Sequence, residues 1–427
     1  MTAALMLGLM VALLMAGLPV AFAMGAISAL YLFVADIDIG MLTQRSTAAV
    51  NSFLILAIPF FYLAGELMNA CKLTDRVIAL ARAMVGHFRG GLAQINILSS
   101  MIFAGMSGSA TADVAALGSI LIPSMKREGY PAGFAAAVTT ASAIVGPIIP
   151  PSTAMIIYAA LADVSAGRML LAGILPGVTI ILVQMVFAWI MATRHDFPRY
   201  PRATLCEAAA AARGGLPAVL LPGIIVGGIL TGVFTPTEAA AVAVLYGLLL
   251  GMVVYRNVSI AQAGALFVHV GLASARILFI VAIASAFSWV MLREQVPQTL
   301  AAALAGISTD PNVIMAIMIV FLLAVGMFMV ASSAEIVLAP ILAPVVASFG
   351  IDPVHFGVLM VFVLIVGGGT PPVGVLMFIA QDIAKIGFGE MLRAMLPWYI
   401  PLAAAILLIA YIPGISLLIP DLVFGPA

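Results

Sequence analysis

Apolar residues dominate this chain in runs of about 20 or more, long enough to cross a lipid bilayer. Three amphipathic stretches, 72–88, 259–274 and 298–308, separate some of these runs and are expected to lie along the membrane surface. The pattern predicts an all-α polytopic membrane protein. Its ten predicted spans cover residues 2–17, 18–35, 53–70, 131–162, 169–192, 216–233, 236–255, 277–292, 354–384 and 394–419.

Two further apolar runs, 91–125 and 311–348, are interrupted near the middle by small polar residues. Two complete spans with a turn would need about 40 residues or more, so each run is short for that arrangement. We therefore predict two re-entrant helical hairpins that enter the membrane, turn near its middle and leave on the same side.

A short stretch of sequence occurs twice. Ile144 to Pro151 reappears as Ile365 to Pro372, 221 residues later, and each copy places two adjacent prolines inside an apolar run. A proline removes the helical hydrogen bond to the carbonyl four residues earlier. The duplication predicts two broken helices, 131–162 and 354–384, in two repeats that cover residues 1–213 and 214–427. Paired interruptions of this kind indicate a transporter's midplane site.

The charged residues predict how the two hairpins are oriented. Asp310 and Asp352 flank the second hairpin, whereas basic residues flank the first: Arg82, His87, Arg89, Lys126 and Arg127. The positive-inside bias then places the ends of the first hairpin in the cytoplasm and those of the second outside, with both chain termini outside. Opposite orientation of the halves makes an inverted repeat, which suits alternating access around a central site.

Composition supports a membrane protein and excludes other classes. Hydrophobic residues make up 64% of the 427 positions and charged residues 8%, and the net charge of zero gives no reason to expect a nucleic-acid partner. Cys71 and Cys206 are far apart and predict neither a disulfide framework nor a metal site. Because no Lys or Arg precedes Arg45, we expect the first apolar run to be a retained span and not a cleavable signal peptide.

Several motifs, in this order and spacing, carry a resemblance to one family across essentially the whole chain. They are Asn51-Ser52-Phe53, Ile58-Pro59-Phe60-Phe61, Ala64 to Asn69, Ser107 to Asp113, Pro150-Pro151-Ser152, Thr235 to Ala239 and Gly367 to Pro372. Together they resemble the large membrane subunit of tripartite ATP-independent periplasmic (TRAP) transporters.

The resemblance implies sodium-coupled uptake of organic acids across a bacterial inner membrane, by an elevator-like movement of a domain that carries both hairpins. It also implies two partners that this sequence does not contain, a small membrane subunit and a periplasmic substrate-binding protein. No organic cofactor is expected. A self-sufficient sodium/carboxylate symporter of related architecture is the alternative.

The hairpin tips and the broken helices predict two or more sodium ions. Sodium is a hard cation that carbonyl and hydroxyl oxygens coordinate, and the unwound backbone of a broken helix supplies such carbonyls. The predicted ligands fall into two groups, Ser107, Ser109, Gly146, Pro147 and Pro150 in the first half, and Ser332, Ser333, Gly367, Gly368 and Thr370 in the second. Alternatively, the breaks are only tolerated, since Gly and Pro are common in membrane helices.

The acidic residues have ordinary structural explanations. Glu238 and Glu335 each follow a Ser or Thr at capping-box spacing, which predicts helix capping for both. Asp113 lies four residues after Ser109, where it either compensates the helix dipole and holds the hairpin tip or lines the substrate site.

Arg293 is the predicted carboxylate anchor, because positive charge is scarce on the outer side and a guanidinium pairs bidentately with a carboxylate. In the family that the chain resembles, an arginine at the matching motif contacts the anionic substrate. Snorkelling to the interface is the structural alternative. Asp113, Ser109 and Ser152 complete the predicted substrate site. A dicarboxylate, a sugar acid and sialic acid all suit such a site.

An enzyme and a channel were the rival classes. Gly105-Met106-Ser107-Gly108 fits the pattern around the nucleophile of rhomboid-type proteases, but a serine needs a base in reach. None of the four histidines lies in the middle of a predicted span: His87, His195, His269 and His355. A channel would require a continuous polar stripe, whereas polar positions here are isolated. The sequence therefore predicts a carrier.

Overall fold

Helices are the only regular elements in the computed structural model, which describes residues 3–195 and 197–426. Helices suit a chain this apolar, because a helix satisfies its own backbone hydrogen bonds in lipid. The all-α prediction is confirmed for the described residues. The first half contains α1 (Ala3–Met15), α2 (Val20–Val34), α3 (Gly40–Val50), α4 (Ala57–Ala70), α5 (Thr74–Val85), α6 (Gly91–Ser107), α7 (Ala110–Arg127), α8 (Ala132–Ala143), α9 (Thr153–Leu161), α10 (Ala166–Ala172) and α11 (Ile174–Arg194).

The second half contains eleven further α-helices with short 3₁₀ or π segments between some of them. They are α12 (Leu205–Leu230), α13 (Pro236–Leu248), α14 (Ile260–Arg293), α15 (Val296–Ala305), α16 (Pro311–Phe328), α17 (Ala331–Ser348), α18 (Pro353–Gly368), α19 (Val375–Ala384), α20 (Phe388–Met395), α21 (Tyr399–Tyr411) and α22 (Gly414–Phe424).

Eight helical stretches are long and apolar enough to cross a membrane, by length and composition. Helices α1 and α2, of 13 and 15 residues, are not among them, since a rise of 1.5 Å per residue gives them only about 20 to 23 Å. The predicted count of ten spans stays a prediction. The eight stretches are Phe53–Ala70, Ala166–Arg194, Leu205–Leu230, Pro236–Val254, Ile260–Arg293, Pro311–Phe328, Ala331–Ser348 and Phe388–Tyr411.

Both predicted hairpins are helix–turn–helix pairs. In the first, Gly108 and Ser109 join α6 to α7, and Gly108 adopts a φ of +59° that favours glycine. In the second, Met329 and Val330 join α16 to α17. The predicted second tip was misplaced, because Ser332 and Ser333 already belong to the first turn of α17.

The two predicted helix breaks are present at the paired prolines. Helix α8 ends at Ala143 and α9 begins at Thr153, whereas α18 ends at Gly368 and α19 begins at Val375. The peptide bonds Pro150-Pro151 and Pro371-Pro372 are both cis. The inverted relation of the halves is not tested by these bounds and stays a prediction.

The stretch 259–274 is not a separate surface helix. It continues without a break into the predicted span 277–292, and both form α14, a single helix of 34 residues. At 1.5 Å per residue this helix is about 51 Å long, which exceeds the roughly 30 Å of bilayer hydrocarbon. Large apolar side chains on its first half are exposed, among them Ile260, Val268 and Leu272.

The hairpins and broken helices pack as one body around the buried core. Helix α7 contacts α8, and α17 contacts α18, so each hairpin lies on the broken helix of its own half. The second parts of the broken helices cross between halves, because α19 packs on α7 and α8 while α9 packs on α17 and α18. Helices α2, α3 and α4 contact α14, and α4 also packs on α6 of the first hairpin. This arrangement brings both tips and both breaks toward the middle of the molecule.

Candidate functional site

The first hairpin tip closes directly on the first helix break. A Cβ atom at Gly108 would lie 2.7 Å from the Pro151 carbonyl oxygen, so the approach requires glycine. On the other side of the contact, a Cβ at Gly146 would lie 3.1 Å from the backbone of Ser109 and Ala110. The first tip therefore packs against the helix break at Gly146 and Pro151.

Asp113 is fully buried behind that tip. The Ser107 hydroxyl donates a hydrogen bond to Asp113 Oδ1, so the carboxylate holds the tip, as one of the two predicted roles requires. Its other oxygen, Oδ2, has no hydrogen-bond partner and lies 3.1 Å from the position of a Cβ on Gly146. An unpaired buried carboxylate oxygen is costly unless a cation or donor reaches it. Oxygen ligands suit sodium, so the residues present fit a sodium site here.

Two of the predicted site serines cap helices. The Ser109 hydroxyl accepts from the Ala112 N–H at 3.4 Å and caps α7. The Ser152 hydroxyl accepts from the Met155 N–H at 3.1 Å, caps α9 and donates to the Pro147 carbonyl at 2.5 Å. Ser152 is completely buried, and its hydroxyl already acts as both a hydrogen-bond donor and an acceptor. Its predicted contact with substrate would require those bonds to change.

Both hairpin tips border one cavity of about 350 Å³ in the middle of the molecule. The first tip contributes Ser107, Gly108 and Ser109, the second contributes Met329 and Val330, and Ser332 borders the cavity from the first turn of α17. Pro147 and Gly368 from the two breaks line the cavity, as do Ile277 and Ile280 from the middle of α14. The structure therefore brings together parts of both predicted sodium groups.

Glu335 is the functional candidate that the sequence prediction missed. Its side chain is buried at 2% exposure, lines the central cavity and leaves Oε1 without a hydrogen-bond partner. The predicted capping role was wrong, because α17 begins at Ala331 after Val330, which offers no capping side chain. The available signal was an acidic residue inside an otherwise apolar helix. By contrast, Glu238 forms the predicted capping box with Thr235.

The remaining residues of the second predicted sodium group are engaged locally. The Thr370 hydroxyl donates to the Val366 carbonyl at 2.7 Å, and the Thr370 N–H donates to the Gly367 carbonyl at 2.8 Å. Gly367 packs against Gly326 so closely that a Cβ there would lie 2.7 Å from the Gly326 Cα. Ser333, Gly367 and Thr370 do not border the central cavity in the described part of the chain.

Arg293 lies at the other end of α14, away from the tips. Its guanidinium is 5.5 Å from the Trp289 ring centre, and Arg45 approaches the same ring at 5.5 Å. Thirteen residues separate Arg293 from Ile280 at the cavity, which corresponds to about 20 Å along a helix. In this conformation Arg293 does not border the central cavity, and its role as substrate anchor stays a prediction.

Ser107 is bonded to a carboxylate and not to a histidine, so the arrangement lacks the base that a serine nucleophile requires. The site instead combines hydroxyls, helix breaks and two buried carboxylates, Asp113 and Glu335. These groups lie within a bundle of apolar helices. Such a combination is suited to binding small ions and solutes.

Comparison with a solved structure supports a transporter fold. The YdaH transporter of Alcanivorax borkumensis, described as having an unusual topology, matches with a TM-score of 0.59 over 90% of this chain and 88% of that one. The sequence identity is 16%, so this likeness concerns the fold alone.

Sequence comparison gives the family. Residues 7–415 match the model described as tripartite ATP-independent periplasmic transporter, DctM component. The C4-dicarboxylate TRAP transporter large permease protein DctM of Pseudomonas aeruginosa is 40% identical over 86% of each chain. The sialic acid TRAP transporter large permease protein SiaM of Vibrio cholerae is 37% identical over 91% of each. The chain therefore belongs to the DctM component family of the TRAP transporters, and it is a multi-pass membrane transport protein and not an enzyme.

Proposed function

We propose that this chain is the membrane subunit that couples inward sodium movement to the uptake of an organic acid anion. The observation that carries the proposal is the central cavity, which both hairpin tips and both helix breaks border. The buried Glu335 lines this cavity, and the buried Asp113 is bonded to Ser107 at the first tip. Paired breaks at a repeat interface are typical of the substrate and ion sites of secondary transporters.

Two or more sodium ions are the co-transported cations. Asp113 Oδ2 and Glu335 Oε1 are buried and lack a donor, so each favours a bound cation. Within the described residues, no Lys, Arg or His lines the cavity. Sodium would therefore bind before or together with the anion, because it offsets the negative charge that otherwise repels a carboxylate.

Alternating access would occur by an elevator-like movement. The hairpins α6–α7 and α16–α17 pack on the broken helices as one body, which supports their moving together. Helices α2, α3 and α4, packed on the long α14, are suited to the fixed scaffold. The inverted repeat would give the outward and inward states similar energies.

The substrate is an organic acid such as a C4-dicarboxylate, a sugar acid or sialic acid. The names of two relatives, a C4-dicarboxylate permease and a sialic acid permease, support this class. Arg293 is the proposed carboxylate anchor, and Asp113, Ser109 and Ser152 are the proposed groups nearer the tips. Since Arg293 lies about 20 Å from the cavity here, anchoring requires the elevator movement to bring the two together.

The proposed location is the bacterial inner membrane, with both termini in the periplasm. The partners are a small membrane subunit and a periplasmic substrate-binding protein, which family membership supports. The first half of α14, with its exposed apolar side chains, offers the small subunit a packing surface. The binding protein would capture the anion and favour the outward-facing state by binding it more tightly.

Reconstitution in liposomes tests the proposal. We expect little or no uptake by the isolated chain under an inward sodium gradient, and robust uptake once both partners and substrate are added. The complete system without the gradient should not accumulate substrate, because a soluble receptor supplies no driving force. Strong accumulation of free substrate by the isolated chain would instead support a self-sufficient sodium/carboxylate symporter.

A further inference from the structure

A second recess, which shares no lining residue with the central cavity, lies between α5 and the start of α12. This groove, of about 570 Å³, has the size of a small-molecule site. Three arginines border it, Arg76, Arg82 and Arg202, and its walls consist largely of small residues: Ala79, Ala83, Ala203, Ala210, Ala211 and Gly214. A cationic rim over an apolar recess matches the two ends of a phospholipid.

The arginines are held in place without being neutralised. Arg82 stacks on the Tyr200 ring at 4.1 Å, and Arg76 stacks on Tyr255 at the same distance. Stacking uses the faces of the guanidinium planes and leaves their N–H edges free to donate. Within residues 3–195 and 197–426, Arg76, Arg82 and Arg202 have no ion-pair partner.

Neighbouring groups keep the rim cationic. Glu207 also borders the groove, but its Oε2 already accepts from the Thr204 N–H at 2.8 Å and the Thr204 hydroxyl at 2.9 Å. Burial, together with the hydrogen bond to Glu128, raises the pKa of Tyr200, so the ring beneath Arg82 stays neutral. Glu207 thus contributes a single negative charge against three guanidiniums, and the rim is cationic overall.

The groove lies where lipid headgroups would be. It opens beside the first turns of α12, a membrane-length helix, and two exposed apolar residues lie close to its lining residues in the sequence, Leu205 at 92% and Met84 at 54%. The distribution of basic residues places this end on the cytoplasmic side. Basic pockets between membrane helices on that side bind anionic headgroups.

We propose that this groove binds the phosphate of an anionic phospholipid, with Arg76, Arg82 and Arg202 on the phosphate and an acyl chain along the alanine-lined wall. The bidentate geometry of arginine suits two phosphate oxygens at once. A soluble phosphate would share the headgroup chemistry but would gain nothing from the apolar wall. The site is independent of the proposed transport cycle.

Lipid titration of the purified, delipidated chain tests this site by native mass spectrometry. Phosphatidylglycerol should bind more tightly than phosphatidylcholine. The double variant R82Q/R202Q should lose on the order of 30-fold in phosphatidylglycerol affinity, since each arginine near the surface contributes about 1 kcal/mol. Its affinity for phosphatidylcholine should stay unchanged, which shows that the variant is folded. R202Q alone, which removes no stacking contact, should show a smaller loss.

The matched control is R127Q/R393Q, which removes two exposed arginines outside the groove and should leave binding unchanged. Equal affinity of the wild type for the two lipids would overturn the proposal, and so would an equal loss in both double variants. A competition with glycerol phosphate separates the two sources of phosphate. Displacement of the lipid at matched concentrations would show a soluble-anion site and refute the lipid assignment.

Discussion

The two hairpin tips have the same topology and different chemistry. At the first, Ser109 caps α7 and Ser107 donates to the buried Asp113. At the second, Val330 offers no cap to α17, and the buried Glu335 leaves one oxygen unpaired beside the central cavity. The first tip thus holds its carboxylate in place, whereas the second does not.

This difference indicates unequal ion sites. A carboxylate that a neighbouring hydroxyl already orients loses less conformational entropy when it binds an ion, because its geometry is fixed beforehand. Asp113 also points its free oxygen at the helix break near Gly146. We therefore expect the first half to hold the tighter sodium site. Five substitutions test this comparison.

Asp113→Asn should have the largest effect. The change keeps the size of the side chain and removes the charge that faces the break. Bonds to charged groups contribute about 1.5 to 3 kcal/mol, so the sodium concentration for half-maximal uptake should rise roughly 10- to 100-fold. Sodium titration of uptake in the reconstituted system measures it. The control is Asp75→Asn on exposed α5, and equal sodium dependence in the two variants would contradict the site.

Arg293→Lys tests whether the anion is held at the tips or elsewhere. Lysine keeps the charge but loses the planar guanidinium that pairs with both carboxylate oxygens. The loss of about 2 kcal/mol of binding free energy should lower the uptake rate roughly 30-fold. Arg45→Lys is the matched control, because Arg45 contacts the same Trp289 ring at the same distance. If both variants transport at the wild-type rate, Arg293 is an interfacial anchor and the substrate carboxylate binds elsewhere.

Glu335→Gln separates function from stability at the second tip. Uptake should fall roughly fivefold, since a cation interaction of about 1 kcal/mol is lost at a less organised site. The melting temperature should rise, because an unpaired buried carboxylate is replaced by a neutral group. Uptake and thermal unfolding in detergent measure the two effects. Lower stability with normal uptake would mean that Glu335 is structural.

Ser109→Ala and Thr370→Ala should have the smallest effects. The Ser109 capping bond is long, at 3.4 Å, which leaves the hydroxyl able to contact an ion. The Thr370 hydroxyl is committed to Val366 at 2.7 Å. Both variants should raise the sodium concentration for half-maximal uptake, Ser109→Ala by about two- to fivefold and Thr370→Ala by less. Protein amount should stay near wild type. A larger effect at Thr370 would reverse the proposed order of the sites.

Much of the architecture was predictable from the sequence because local physics determines it. Adjacent prolines break a helix wherever they stand, so the duplicated motif located both breaks. Apolar runs with small polar residues near the middle located both helix–turn–helix pairs, whose re-entry from one side of the membrane stays a prediction. The family resemblance also rested on motifs visible in the sequence, and the family match over residues 7–415 confirmed it.

Tertiary structure decided the roles of individual side chains. Glu238 and Glu335 share capping spacing, but the second hairpin turns at Met329 and Val330, directly before the predicted tip at Ala331 to Ser333. That start of α17 leaves Ser332 inside the helix and directs Glu335 into the core instead of toward a cap. The bond between Ser107 and Asp113, the continuity of α14 and the distance of Arg293 from the cavity likewise depend on which helices pack together. Such contacts join residues far apart in the chain, and hydropathy and spacing report only near neighbours.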